Sequence, residues 1–375
     1  GGERQTEAWY EDKGVTLRLG TRVVGWDASS KTVTADDGGV TPYDKLVVAI
    51  GCTALRLPDA IGGGLPGVHY VRDNADALAL SEAMATAKAP VVIGGGYIGL
   101  EVAAALAARG LNPRVVLMEK HTMARLWTPE IAAKYESLYE TKGVVFHREA
   151  KVKRVVAGAD GRVASVELED GSVLKSDLVV VGVGAGAPAA PFDALNTTPN
   201  PKQPGGIAVD GTFAASGAGV EPKSVFAIGD VAAFPASDGV ATELVPTRVE
   251  HVAHARASAA HCASAVLDDR FDTPYAFFPF FYSRVFEQKD QVRSVSWAFW
   301  GFNRGACVVV GDFAPSMVAF WVDETDGAVV GVMVESCSDA ERDAAKRAAE
   351  TRAVVDVEAL RKCASVTEAL ALTSA

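Results

Sequence analysis

The chain has 375 residues, 49% hydrophobic and 22% charged, with a formal net charge of −11, which is too long for one small core and predicts two or three domains. The acidic balance leaves no basic stripe for nucleic acid, and no apolar stretch reaches membrane-spanning length. Five cysteines lie far apart without a C-x-x-C pair, so neither a local redox dithiol nor a compact zinc site is suggested, and a soluble acidic enzyme of a reducing compartment is expected.

In chain order, apolar runs at 15–19, 23–26, 31–34 and 46–50 read as strands between D-A-S-S and D-D-G-G turns. The run Y-D-K-L-V-V-A-I-G is a buried strand that ends on Gly51. Residues 51–73 read as loop and 74–88 as helix. The clearest signal follows, P-V-V-I-G-G-G-Y-I-G-L-E from Pro90. A buried strand leads into Gly94, Gly96 and Gly99 in G-x-G-x-x-G spacing, with Tyr97 and Ile98 inside the loop. An alanine-rich helix and a second apolar run ending at Glu119 complete a dinucleotide-binding unit.

The spacing has a physical logic. Gly94 permits a sharp turn, Gly96 lets a pyrophosphate approach the backbone, and Gly99 lets the helix pack closely on the sheet. The phosphates then meet unpaired N–H groups at a helix N-terminus. Glu119 falls 20 residues after Gly99, where a carboxylate can accept from ribose hydroxyls and repel a 2′-phosphate. NADH is therefore expected in preference to NADPH. The bland alternative is a glycine-rich turn with a solvated glutamate.

Beyond the loop, 160–174 reads as a β-hairpin, and 177–184 as a buried strand that ends in glycines, Gly184 among the cofactor-binding candidates. That strand echoes 43–51, which suggests two related nucleotide-binding domains. Residues 188–206 read as a linker, 224–232 as a strand ending at Gly229-Asp230, and 247–267 as a helix with R-V-E-H-V-A-H-A-R in its first half. From 273 onward aromatics concentrate, and a charged helix starts near Ser338. The predicted class is α/β: two Rossmann-like dinucleotide-binding domains, the first incomplete, plus a C-terminal α+β domain. The predicted division is 1–73 with 206–272 for FAD, 74–205 for NAD, and 273–375 as an interface domain.

This order of pieces resembles the two-dinucleotide-domain flavoprotein reductases. Four stretches narrow the resemblance to the monodehydroascorbate reductases: residues 1–10, M-A-R-L-W-T-P-E-I-A at 123–132, R-V-E-H-V-A-H-A-R at 248–256 and P-F-F-Y-S-R at 279–284, with E-A-L-R-K at 358–362 also fitting. The resemblance implies FAD and NADH as cofactors, hydride transfer to the flavin, and single-electron transfers to two monodehydroascorbate radicals. It implies that Asp230 meets the ribityl chain, that Glu250 and His251 lie along the isoalloxazine, that Arg72 is near FAD and that Val23 is by its adenine. It implies substrate contact for Arg256 and Tyr282, where a guanidinium fork suits an anionic substrate. Alternatives stand beside these roles. Asp230 also suits a turn or helix cap, Arg256 an ion pair on a helix surface, and Tyr282 a core aromatic. His251 and His254 have a metal-compatible spacing but no third ligand, so no metal is expected.

The resemblance also marks departures. Roughly 70 residues carrying the FAD pyrophosphate motif are expected upstream of Gly1, together with any targeting segment, so the compartment is left as cytoplasmic or organellar. The loop at 236–246 and the polar stretch at 287–293 differ from the family pattern. Two alternatives stay open: a reductase for a ferredoxin- or rubredoxin-like carrier, and an inactive NAD-binding fragment.

Overall fold

A computed structural model describes residues 5–188, 190–198, 205–237, 244–286 and 295–374. The polar stretch at 287–293, most of the 236–246 loop and residues 1–4 of the first family motif lie outside the described residues. The described residues gather into two compact units, one from those within Gly1–Cys52, Ala187–Ala236 and Leu244–Tyr275, the other from those within Thr53–Gly186, Ser237–Glu243 and Ala276–Ala375.

The first unit is built from small sheets and one long helix. Val23–Asp27, Thr32–Ala35 and Val40–Pro42 form an antiparallel meander. Leu46–Val48 pairs in parallel with Val225–Ala227, whose three side chains are fully buried. Ala232–Ala236 lies between Ile207–Ala208 and Val245–Thr247. The helix Val252–Leu267 follows. Residues 15–19, expected as a strand, form none. Val15, Leu17 and Leu19 are all exposed, and a strand with neither a paired neighbour nor a buried face has nothing to hold it. Residues 190–198, expected as linker, return to this unit, where Phe192 is buried and tilts against Trp26 at 5.6 Å.

The second unit centres on a parallel five-stranded sheet in the order Val68–Tyr70, Leu178–Val181, Pro90–Ile93, Arg114–Val116, Val145–His147. Its two central strands are buried at every position, as expected of a parallel sheet covered on both faces. The chain runs outward from Pro90–Ile93 to Val145–His147, then returns to place Leu178–Val181 on the other side. The direction of winding therefore reverses beside Pro90–Ile93, the position where doubly wound folds bind ligands. The hairpin expected at 160–174 is present as Val163–Leu168 and Val173–Lys175, with Val152–Ala157 as a third strand.

The C-terminal segment is an antiparallel sheet ordered Phe280–Val285, Val295–Gly301, Val329–Glu335, Met317–Val322, Ala306–Gly311. Met317–Val322 and Val329–Glu335 are buried throughout, although antiparallel strands usually alternate. The reason is cover on both faces. Phe299, Trp321 and Met333 share a core with Leu106 of the helix Tyr97–Ala108 and with Ile131 and Tyr135 of the helix Pro129–Thr141, while Phe320, Val332 and Val334 pack under Ala345, Ala348 and Ala349 of the helix Asp339–Glu350. No helix among the described residues is long and apolar enough to cross a membrane.

Candidate functional site: a dinucleotide loop and an aspartate cradle

At the end of Pro90–Ile93 the backbone swings to φ +113° at Gly94, and its N–H donates to the Val116 carbonyl at 2.8 Å. A Cβ at Gly94 would stand 2.3 Å from the Gly182 carbonyl oxygen on the neighbouring strand. A Cβ at Gly99 would stand 2.0 Å from the Gly94 oxygen, so the helix Tyr97–Ala108 is seated on its own loop. Gly96 is different: nothing lies within 4 Å of where its Cβ would be. It caps the helix without a side-chain hydrogen bond, leaving the first N–H groups to an outside acceptor. Ile98 is exposed, and Tyr97 is partly buried against Phe281. Gly184 follows the adjacent strand at φ +118°, its carbonyl held by the Leu55 N–H at 2.9 Å.

Glu119 is exposed three residues past Arg114–Val116. The loop behind it is strapped on several sides. Met123 N–H donates to the Gly95 carbonyl at 2.9 Å, joining the acid's loop to the glycine loop. Thr122 N–H donates to Glu136 Oε1 at 2.7 Å, and Arg148 donates to Glu136 Oε2 from Nε at 3.1 Å and Nη2 at 2.9 Å. His121 Nδ1 lies 3.5 Å from the same oxygen. Asn303 Nδ2 donates to the carbonyls of Arg125 (2.8 Å) and Leu126 (3.2 Å). Gly94, Gly96, Tyr97, Ile98, Gly99, Glu119 and Gly184 thus stand together at the C-terminal ends of three adjacent parallel strands. Glu136 was not among the expected residues. The available signal was a glutamate on the buried stripe Ile131, Ala132, Tyr135, Tyr139 of the helix Pro129–Thr141.

In the first unit, Asp230 lies in the short turn Gly229–Val231 after the strand Val225–Ala227. The Cys52 thiol donates to its Oδ2 at 3.3 Å, and Ser258 Oγ accepts from Gly229 N–H at 3.1 Å. Buried Arg248 donates from Nη1 to the Asp230 carbonyl at 2.9 Å, and its Nη2 pairs with Glu250 at 2.9 Å. Gly206 makes room for that side chain, since a Cβ there would meet Arg248 Cδ at 2.4 Å. Cys52 and Arg248 carried no expected role.

The expected helix over 247–267 begins only at Val252. Val245–Thr247 is a strand, and His251 caps the helix with extended backbone, its Nδ1 accepting from Ala253 N–H at 3.1 Å. R-V-E-H therefore precedes the helix rather than opening it. Burial presses His251 below the usual histidine range, opposed by Asp230. Burial also takes His254 down to about 4; its Nδ1 meets the Tyr275 hydroxyl at 3.1 Å. No cluster of metal-ligating side chains occurs among the described residues.

Arg256 is exposed on the helix, and no acid pairs with it among the described residues. Tyr282 is 42% exposed on Phe280–Val285, stacked on Phe280 at 5.8 Å, and is not a core aromatic. Val23 is partly exposed at the start of its strand. Arg72 is an exposed residue of the second unit, its backbone N–H donating to Asp76 at 2.9 Å.

The family model described as pyridine nucleotide-disulphide oxidoreductase matches residues 4–259, and that of the C-terminal domain of monodehydroascorbate reductase 3-like proteins matches 278–366. The chloroplastic/mitochondrial monodehydroascorbate reductase of Arabidopsis thaliana is 45% identical over 375 residues, covering 100% of this chain and 73% of the relative. Monodehydroascorbate reductase 5 of Oryza sativa subsp. japonica is 44% identical, covering 99% of this chain and 72% of the relative. Among solved structures, the ferredoxin reductase for the CYP199A2 system of Rhodopseudomonas palustris superposes with a TM-score of 0.82 at 29% identity, covering 98% of this chain and 85% of that one. The reductase of the covalent putidaredoxin reductase–putidaredoxin complex gives 0.82 at 27% identity, covering 99% and 85%.

Proposed function

We infer the function from kinship: the chain belongs to the pyridine nucleotide-disulphide oxidoreductase family and, within it, to the monodehydroascorbate reductases. It is an FAD-containing oxidoreductase that uses NADH to reduce the monodehydroascorbate radical to ascorbate. The observation that carries this is 45% identity along the whole chain. Bound FAD supplies the conversion between a two-electron hydride donor and one-electron acceptors.

The residues present suit both cofactors. The open backbone at Gly96 and the uncapped N–H groups behind it suit the NADH pyrophosphate, with Tyr97, Ile98 and Gly184 lining the approach. Glu119 accepts from the adenosine ribose hydroxyls. The Asp230 carboxylate accepts from the ribityl hydroxyls of FAD, held in place by the Cys52 thiol and, through its backbone, by Arg248. Glu250 and His251 would hold the isoalloxazine and Val23 the adenine, and the family resemblance assigns Arg72 to FAD as well. In domain terms, 1–73 with 206–272 are the FAD-binding part, 74–205 the NAD-binding part and 273–375 the interface domain, although 53–73 gather with the NAD-binding residues and 190–198 with the FAD-binding ones.

Arg256 binds the anionic radical through its guanidinium fork, and Tyr282 orients it. An exposed arginine with no acid on it among the described residues supports that role, as does an exposed phenol. Electron transfer to a radical requires no nucleophile and no acid–base dyad. Arg256→Ala is expected to raise KM for the radical about tenfold and leave KM for NADH unchanged. An unchanged radical KM removes Arg256 from the substrate site.

The ferredoxin-reductase likenesses support a second reading, delivery of electrons to an iron–sulfur protein. NADH oxidation measured with enzymatically generated monodehydroascorbate and, separately, with a [2Fe–2S] ferredoxin decides between them. The radical is expected to be the better acceptor; faster turnover with ferredoxin overturns the first assignment.

A further inference from the structure

Within the second unit, a line of aromatic rings leads from the glycine loop to a buried carboxylate. Tyr97 lies 5.9 Å from Trp297 between ring centroids, Trp297 meets Trp127 edge-on at 5.8 Å, and Trp127 stacks on Tyr135 at 4.1 Å. Trp297, Trp127 and Tyr135 are all buried. Their polar ends differ. The Trp127 indole Nε1 is buried with no acceptor among the described residues. The Tyr135 hydroxyl donates to Glu335 Oε2 at 2.8 Å; Glu335 is itself fully buried, and its other oxygen accepts from the Ser336 hydroxyl.

That difference sets a direction. An indole that loses an electron becomes strongly acidic, but without an acceptor its proton stays and the electron hole remains mobile. A phenol that loses an electron beside a carboxylate sheds its proton, and the hole is fixed as a neutral radical. Core aromatics pack against one another in most proteins, so stacking alone says little. Tyr139 provides the contrast: it is equally buried, one helical turn on, but its hydroxyl donates to the Leu100 carbonyl at 3.2 Å, which cannot take up a proton.

We propose that Trp297, Trp127 and Tyr135 form a radical sink that draws oxidising equivalents from the nucleotide site and holds them on Tyr135, with Glu335 as the proton acceptor. A peroxide-derived one-electron oxidant at the Tyr97 end takes one electron and becomes its anion. The hole passes through Trp297 and Trp127. Tyr135 gives up the electron, and its phenolic proton moves to Glu335 Oε2, leaving a phenoxyl radical and a carboxylic acid. Ascorbate returns one electron along the same rings, becoming the monodehydroascorbate radical and releasing its own proton to water, while the proton on Glu335 goes back to the phenoxyl oxygen. The proposed reductase activity accounts for the sink's usefulness, but the route can be read without turnover.

The full chain is oxidised with flash-generated ruthenium(III) tris-bipyridine, frozen, and examined by electron paramagnetic resonance. The chain holds 8 tyrosines, so the signal is assigned by substitution. A tyrosyl signal is expected in the unaltered chain, with most of it lost in Tyr135→Phe and a longer-lived tryptophan radical in its place. Trp127→Phe leaves the Tyr135–Glu335 pair intact and is expected to lose most of the tyrosyl signal too, so it carries the test if Tyr135→Phe does not fold. Tyr139→Phe is expected to keep it. A full tyrosyl yield in Tyr135→Phe or Trp127→Phe, or an equal loss in Tyr139→Phe, overturns the sink. Because no NADH turnover enters this readout, its failure is separate from a failure of the reductase assignment.

Discussion

Glu119 has its carboxylate exposed while the backbone around it is fixed, its carbonyl accepting from Glu149 N–H at 3.1 Å and its loop tied to Gly95 and Glu136. In the proposed role, a charge held this way would discriminate by repulsion as well as by attraction. Glu119→Ala is expected to narrow the preference for NADH over NADPH about tenfold in kcat/KM; an unchanged ratio removes its role. His254 makes a different prediction. Burial holds it near 4 in the folded chain against an ordinary 6.5, so the unfolded chain binds a proton there that the native one refuses. Stability from this residue is complete above pH 6.5 and falls as pH drops toward 4, by roughly 3 kcal/mol at the limit. Urea midpoints across that window should slope less for His254→Asn than for the unaltered chain; parallel slopes contradict the assignment. At this scale the sequence was legible where a spacing dictates backbone geometry, as in the turn at Gly94 and the close helix packing at Gly99. Cys52 and Glu136 were not legible, because their roles depend on partners distant in sequence, Asp230 in one case and Thr122 and Arg148 in the other.

Among the elements, the glycine loop and its helix were readable because their residues are contiguous and each glycine answers a local close approach. The start of the helix Val252–Leu267 was not, since His251 caps it through a ring nitrogen, outside the usual Ser, Thr, Asp and Asn signals. Strand propensity misled at 15–19, where β-branched and apolar residues have no sheet to join. The helix Pro129–Thr141 acts on the loop after Glu119 through one side chain, Glu136. Glu136 collects donors from the loop after Glu119 and from Arg148, so its loss leaves buried groups unmatched at a cost of about 1–3 kcal/mol. Glu136→Gln is expected to raise KM for NADH several-fold while KM for the radical holds, with the thermal transition still cooperative. Equal rises in both constants would point to general loosening instead.

For the whole molecule, the parallel sheet reverses its winding beside the glycine loop, and the C-terminal sheet shares one core with the dinucleotide helices. The fold class was legible from the order of strands, glycines and helices. The close packing of the C-terminal sheet on the dinucleotide helices was not, because it is made by single buried side chains such as Trp321 and Met333 rather than by any motif. In the proposed reaction, hydride enters from NADH and electrons leave singly to a radical. The most direct test purifies the chain, confirms bound flavin by its visible spectrum, and counts NADH consumed against monodehydroascorbate lost under excess radical. One NADH is expected for every two radicals, with ascorbate as the product. A flavin-bearing chain whose NADH oxidation does not respond to the radical would contradict it.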